Sequence, residues 1–268
     1  MLLAVDIGNT SITFGVFSEN RLLETFRTAS NVKCSVFEYE KIIKNFVKKY
    51  DIKDAVISSV CDELSSIIET AVNTAFGINS MFLNHNNNFG IEVITEKPES
   101  VGMDRIVNVA AVKAKNLYPA IIVDMGTATT FDITDKDGNF TGGIIMPGIN
   151  MQLKSLHDNT SKLPIIKIKD IDSVIGNDTE TCILSGVLMG HACAIEGLIS
   201  RTKNELGFNP NVIAAGGYAK IVAKYMSEPF DYIMPNLTLE GMLHIYKINS
   251  QPNMKESTSK FLKEVPVD

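Results

Sequence analysis

The chain reads as an α/β protein of two similar domains facing one another across a cleft, and three features predict this. The stretch AIIVDMGTATTFDIT (120–134) runs apolar residues into Asp124, turns at Gly126-Thr127 and restarts β-rich sequence at Thr129. LLAVDIGNTSITFGVF (2–17) repeats the design around Asp6, Gly8 and Asn9; Asp6 and Asp124, like Gly8 and Gly126, lie 118 positions apart. Each hairpin is followed by a third β-rich run, and later in each half a short buried strand leads into a helix. Repetition on that scale marks duplicated domains, and matched acidic turns mark a cleft between them.

Taken in order, Leu2 to Val5 and Ile12 to Phe17 form the first hairpin, and Arg21 to Arg27 a third strand after a Glu19-Asn20 turn. Phe37, Ile42 or Ile43, Phe46 and Val47 recur at helical spacing across 36–50, opposite Lys44, Lys48 and Lys49. Ala55-Val56-Ile57 reads as a buried strand, and Leu64, Ile67, Ile68, Ala71 and Val72 as the apolar face of the next helix. Met81-Phe82-Leu83 is a short strand broken by the polar run from Asn84 to Asn88, whose side chains favour turns. After Pro98, Ile106, Val107, Ala110, Ala114 and Leu117 mark one helical face, with Asp104 and Arg105 in the first turn.

Tyr118-Pro119 stops that helix. The expected division is therefore an N-terminal domain at 1–118, a C-terminal domain at 119–247 and a frayed tail at 248–268, where periodicity is lost. In the second half, Lys136 to Asn139 make a hairpin turn and Phe140 to Met146 a third strand, followed by a short helix from Met151 to His157. Asp178-Thr179 caps a long helix with Ile183, Val187, Ala194, Ile195 and Leu198 apolar, and Val212 to Ala215 is a strand leading into a helix at Gly216-Gly217.

Composition narrows the function. With 268 residues, 45% of them hydrophobic, the chain has material for one large or two modest cores. A net charge of −6 argues against a general nucleic-acid or anionic-membrane binder. Cys34, Cys61, Cys182 and Cys193 form no CxxC pair, which fits reduced thiols and a cytoplasmic setting. The N-terminus lacks a basic leader and no uninterrupted apolar run approaches about 18 residues, so neither export nor membrane insertion is expected. His85, His157, His191 and His244 lack HExxH spacing and read as core or surface residues.

The chemistry concentrates at the turns. A carboxylate at a strand end, followed by Gly8 and by amide and hydroxyl side chains, can hold a hydrated divalent cation at Asp6 while turn N–H groups bond phosphate oxygens. Asp124, Gly126 and Thr127 can do the same from the opposite wall. Either turn alone is also an ordinary Asp-Gly hairpin; the matched pair favours nucleotide phosphate. Gly216-Gly217 lets backbone approach a nucleobase or ribose, or else packs a helix closely. Asp104 is the candidate base, favoured as a carboxylate by its helix N-terminus, and Arg105 can meet a phosphoryl oxygen or a substrate carboxylate. The bland alternative is a dipole-complementing Asp beside a surface Arg, although Gly102 allows close ligand approach.

Four blocks in order, DIGNT (6–10), VGMDR (101–105), DMGTATT (124–130) and GGIIMPG (142–148), resemble type III pantothenate kinase over residues 1 to about 245. The resemblance implies an actin-like ATPase (ASKHA) fold of two ribonuclease-H-like domains. It implies ATP-dependent phosphorylation of pantothenate to 4'-phosphopantothenate, the first step of coenzyme A biosynthesis, by a homodimer using Mg2+ and a monovalent cation, potassium or ammonium. Carried over by residue, Asp6, Ile7, Gly8, Asn9, Thr10, Ser11, Ile12 and Thr13 match the first phosphate loop, with Asp6 also near magnesium, and Thr127 matches an ATP contact. Asp124 matches a monovalent-cation position. Gly102, Met103, Asp104 and Arg105 match the substrate loop, with Asp104 as proton acceptor, and Thr179 in GNDTE matches a further substrate contact.

Two residues depart from the pattern. Met103 stands where the loop usually reads GADR, and Thr95 where many members carry a substrate-contacting tyrosine. Rival readings are a sugar kinase of the same fold, a nucleotide-binding regulatory protein without turnover, and a hydrolase that transfers phosphate to water.

Overall fold

The computed structural model describes residues 1–250. The first half supplies β1 (Leu2–Ile7), β2 (Ser11–Ser18), β3 (Arg21–Ala29), β4 (Asp54–Ser59) and β5 (Met81–Phe82). The second supplies β6 (Ala120–Met125), β7 (Ala128–Thr134), β8 (Phe140–Pro147), β9 (Asn211–Ala215) and β10 (Tyr232–Ile233). The first sheet is ordered β3-β2-β1-β4-β5 and the second β8-β7-β6-β9-β10, so the two orders match strand for strand. The meander strands pair antiparallel, while β4 and β9 join β1 and β6 in parallel. Both central strands are almost wholly apolar before their acid, as strands covered on two faces must be.

On the outer face of the first sheet lie α1 (Val36–Val47) and α2 (Asp62–Phe76). Ser35 and Glu38 form a reciprocal capping box at the start of α1. Leu3, Val5, Ile57, Ile43 and Leu64 share this core. Phe37, expected on the buried face of α1, is 61% exposed, because the helix seats Tyr39, Ile43 and Val47 on the sheet and turns Phe37 outward.

The outer face of the second sheet carries α4 (Ile149–Asp158), α5 (Thr179–Leu206) and α6 (Ala219–Val222). Asp178 caps α5 through its carboxylate and Thr181. By length and composition alone α5 is long and apolar enough to cross a membrane, although its apolar residues are interrupted by polar ones. Leu184, Val187, Leu188, Ala192 and Ile195 account for much of its apolar content by packing into this core.

Between the sheets lie α3 (Met103–Ala114) and α7 (Leu237–Ser250), packed on each other. α7, late in the chain, rests on β1 and β4, whereas α3, from the first half, rests on β4, β6 and β7. Their shared core joins Leu2, Ala4 and Val56 of the first sheet to Ala120, Ile122 and Ile213 of the second. Gly241 permits the close crossing, since a Cβ there would stand 2.2 Å from the Val107 carbonyl oxygen. α7 continues to Ser250, so helix covers the first residues expected to fray, and residues 251–268 of that tail lie outside the described residues.

Candidate active site

Strand register brings the chemistry to one place. Asp6 on β1 lies opposite Thr13 on β2, which lies opposite Arg27 on β3. Residues directly opposite across strands project from the same face, so these three side chains form a row on the cleft wall. In the second sheet Asp124 lies opposite Thr130, and Thr130 opposite Ile145. The cleft between the lobes has a volume of about 740 Å³, with Asp6, Asn9, Ser11 and Thr13 on one wall and Asp124, Gly126, Thr127 and Thr130 on the other. Asp104 reaches it from the first turn of α3.

The turns are built alike. Gly8 N–H donates to the Ser11 carbonyl at 3.1 Å, and Gly126 N–H to the Ala128 carbonyl at 3.0 Å. The N–H groups of Asn9, Thr10 and Thr127 have no acceptor among the described residues, leaving donors free for an anion. Ser30 Oγ donates to the Gly8 carbonyl at 2.6 Å and holds the first turn from behind. Behind the second turn, buried His191 on α5 bridges Thr129 Oγ1 at 3.0 Å and Gln152 Nε2 at 2.8 Å. Burial lowers its pKa and keeps the ring neutral.

Each acid has a distinct setting. Asp124 Oδ2 accepts from Asn108 Nδ2 at 2.8 Å, and Thr238 Oγ1 donates to Asn108 Oδ1 at 2.9 Å, which fixes the amide with its NH2 towards the acid. Gly216, at φ +82°, makes room beside Oδ1, where a Cβ would stand at 2.4 Å. Asp104 Oδ1 accepts from the Arg105 N–H at 2.9 Å, in space that a Cβ on Gly102 would fill at 2.6 Å. Oδ2 of Asp104 has no hydrogen-bond partner among the described residues.

Burial raises all three carboxyls of the cleft. Asp6 rises to about 7, because the charges of Asp104 and Asp124 add to its desolvation while Arg27 opposes them. Asp104 rises by burial, with the Arg105 N–H and charge pulling it back. Asp124 rises by burial against the Asn108 hydrogen bond.

Not every residue named from the sequence faces the cleft. Ile7 and Ile12 are fully buried in the first core. Met103 is 6% exposed and packs into the core between the sheets rather than lining the cavity. Arg105 donates from Nε to fully buried Asp132 at 2.5 Å and from Nη2 to the Phe131 carbonyl at 3.0 Å, so its guanidinium is engaged beside the cleft. Thr179, the first residue of α5, is exposed and outside the cleft lining. Thr95 is also outside it, and its hydroxyl is buried without a partner among the described residues. Arg27, Asn108 and Thr238 escaped sequence reasoning, since only tertiary pairing brings them to the acids.

Residues 2–201 match the family model described as type III pantothenate kinase. The chain belongs to the type III pantothenate kinase family. A type III pantothenate kinase of Agathobacter rectalis is 35% identical over 95% of this chain and 100% of its own. One from Dehalococcoides mccartyi strain CBDB1 is 38% identical over 92% of this chain and 96% of its own. A solved structure described as a conserved Baf family transcriptional activator of Campylobacter jejuni, 20% identical, aligns with a TM-score of 0.56 over 92% of this chain and 98% of that one. That likeness concerns the fold, which is the actin-like ATPase arrangement of two duplicated domains. As a type III pantothenate kinase, the chain is an enzyme that takes its phosphoryl group from ATP.

Among the described residues no three His, Cys, Asp or Glu side chains converge into a metal cage. Asp6 and Asp124 face the cleft from separate walls, a donor set suited to magnesium that arrives with phosphate and water ligands of its own.

Proposed function

We propose that this chain transfers the γ-phosphoryl group of ATP to the primary hydroxyl of pantothenate, giving 4'-phosphopantothenate in the first step of coenzyme A biosynthesis. The observation that carries this reading is Asp104: it lines the cleft that the two turns share, and its Oδ2 has no hydrogen-bond partner among the described residues. A carboxylate with a raised pKa, set at a helix N-terminus, is equipped to accept the hydroxyl proton as the oxygen attacks phosphorus in line. Phosphoryl transfer asks for positioning and charge neutralisation more than for a strong base.

In this reading the turn from Asp6 to Thr13 and the Thr127 turn hold the nucleotide phosphates through the N–H groups of Asn9, Thr10 and Thr127, which have no acceptor among the described residues, together with the turn hydroxyls. Magnesium beside Asp6 supplies neutralisation of charge on the phosphoryl oxygens. Asp124 Oδ1, left unbonded by the Asn108 contact, offers an oxygen to potassium or ammonium. Gly102 to Arg105 form the substrate loop, Met103 acting from the core and Arg105 through its pairing with Asp132. Thr179 lies outside the cleft lining and takes a substrate role in a homodimer, where a second chain completes the pocket. The lobes divide at 118/119, with α3 and α7 as their shared seam.

ADP release tests the reading, measured with ATP and magnesium, with and without pantothenate, in potassium and in sodium buffer. Release that requires pantothenate and potassium is expected. Release without any acceptor would identify a hydrolase instead, and ATP binding with no release under any condition would identify a regulatory protein.

A further inference from the structure

The two cleft rows differ in one place. Asp6–Thr13–Arg27 ends in a cation, whereas Asp124–Thr130–Ile145 ends in an isoleucine that is 65% exposed. Among the described residues Arg27 is the one Lys or Arg lining a cleft that holds three carboxylates, Asp6, Asp104 and Asp124. A polyphosphate entering there meets carboxyl groups on both walls, and Arg27 is the cationic side chain among the described lining residues that answers them. Its Nε donates to Ser11 Oγ at 2.8 Å, which anchors the guanidinium beside the first turn and leaves the N–H groups of Nη1 and Nη2 available. No carboxylate lies within ion-pair distance of it among the described residues.

The side chain also reaches the opposite lobe. A Cβ on Gly217 would stand 3.0 Å from Arg27 Nη1, so this glycine keeps the space the guanidinium occupies. Two strand spacings of about 4.8 Å set the Asp6 and Arg27 backbones roughly 10 Å apart. A phosphate chain laid along the Gly8–Ser11 turn fits between them.

On the kinase reading above, we infer that Arg27 clamps the phosphate oxygens of the bound nucleotide through Nη1 and Nη2. The planar fork suits bidentate capture of phosphate, and the Ser11 contact orients it before the nucleotide arrives.

Calorimetric binding of ATP, ADP and adenosine to the full chain, wild type and Arg27→Ala, tests this. The alanine variant is expected to bind ATP and ADP on the order of ten- to a hundredfold more weakly while holding adenosine as the wild type does. Arg27→Lys should recover only part of the loss, because an ammonium lacks the fork. Where the alanine variant is unstable, Arg27→Gln, which keeps a donor for Ser11 without the charge, carries the same expectation. Unchanged ATP affinity would overturn the inference, as would equal losses for ATP and adenosine, which mark a mere brace for Ser11. Failure of the wild type to bind ATP would sink the kinase reading itself, before any variant is compared.

Discussion

Thr127 Oγ1 donates a hydrogen bond to Thr10 Oγ1 at 3.0 Å, joining two turns that are 117 positions apart in the chain. The contact links the two lobes through a pair of hydroxyls, each next to a backbone N–H that has no acceptor among the described residues. On the proposed reading, a nucleotide phosphate entering between the turns would compete for these donors.

Thr127→Val keeps the side-chain shape and removes the donor. If the hydroxyl serves the nucleotide, the KM for ATP rises by roughly three- to tenfold, the worth of one hydrogen bond of about 0.5–1.5 kcal/mol, and the KM for pantothenate stays put. Steady-state kinetics with each substrate varied separates the two. An unaltered ATP KM would confine Thr127 to holding Thr10.

Asp104→Asn preserves the volume and the hydrogen bond from the Arg105 N–H while removing the proton acceptor. The expected result is a fall in kcat on the order of a hundred- to ten-thousandfold, with ATP binding by calorimetry close to wild type. Turnover near the wild-type rate would remove Asp104 from the role of base.

Both hairpin turns and α3 were legible in the sequence because their signals are local. An apolar run into Asp-x-Gly announces a strand end, and the 118-position repeat doubles the evidence. Arg27 carries no such signal, since it is one charged residue in a strand and only register sets it in line with Asp6. Asn108 and Thr238 are 130 positions apart and meet at Asp124 through α3 and α7, whose docking between the sheets no periodicity discloses. Met103 shows the converse. Its place in the motif suggested a pocket residue, but at the first position of a helix that faces the core an unbranched apolar side chain packs inward.

Asp6 gives the ligand-free protein a definite pH dependence. Its folded pKa of about 7 exceeds the ordinary 3.8, so between those values the folded state binds a proton that the unfolded chain releases. Stability therefore falls as pH rises from about 4 to about 7. Asp104 and Asp124, also raised by burial, act in the same sense. Thermal melts across that range should show a declining trend, shallower in Asp6→Asn. If Asp6 takes the magnesium of Mg-ATP, its ionised form is favoured and binding near pH 6.5 should release protons, which calorimetry in buffers of different ionisation heat measures directly. Proton uptake would contradict the assignment of Asp6 to the metal.

The buried pair of Arg105 and Asp132 ties α3 to the second sheet. Asp132 is fully buried and burial raises its carboxyl to about 7 against the pull of Arg105, while its Oδ2 has no hydrogen-bond partner among the described residues. Gly143 admits the guanidinium, since a Cβ there would stand 2.3 Å from Nη2. Asp132→Asn removes the countercharge and leaves Arg105, with 14% of its side chain exposed, as an unbalanced charge. Removing one partner of a buried pair costs about 3 kcal/mol, and at roughly 2–4 °C per kcal/mol the melting temperature should fall by about 10 °C. Replacing both, as Arg105→Met with Asp132→Leu, restores much of that stability by exchanging two desolvated charges for apolar contact. The double variant should nonetheless bind pantothenate poorly if Arg105 shapes the substrate loop. Stability restored together with normal pantothenate KM would make the pair purely structural, whereas stability restored with a raised KM assigns Arg105 to the substrate side of the cleft.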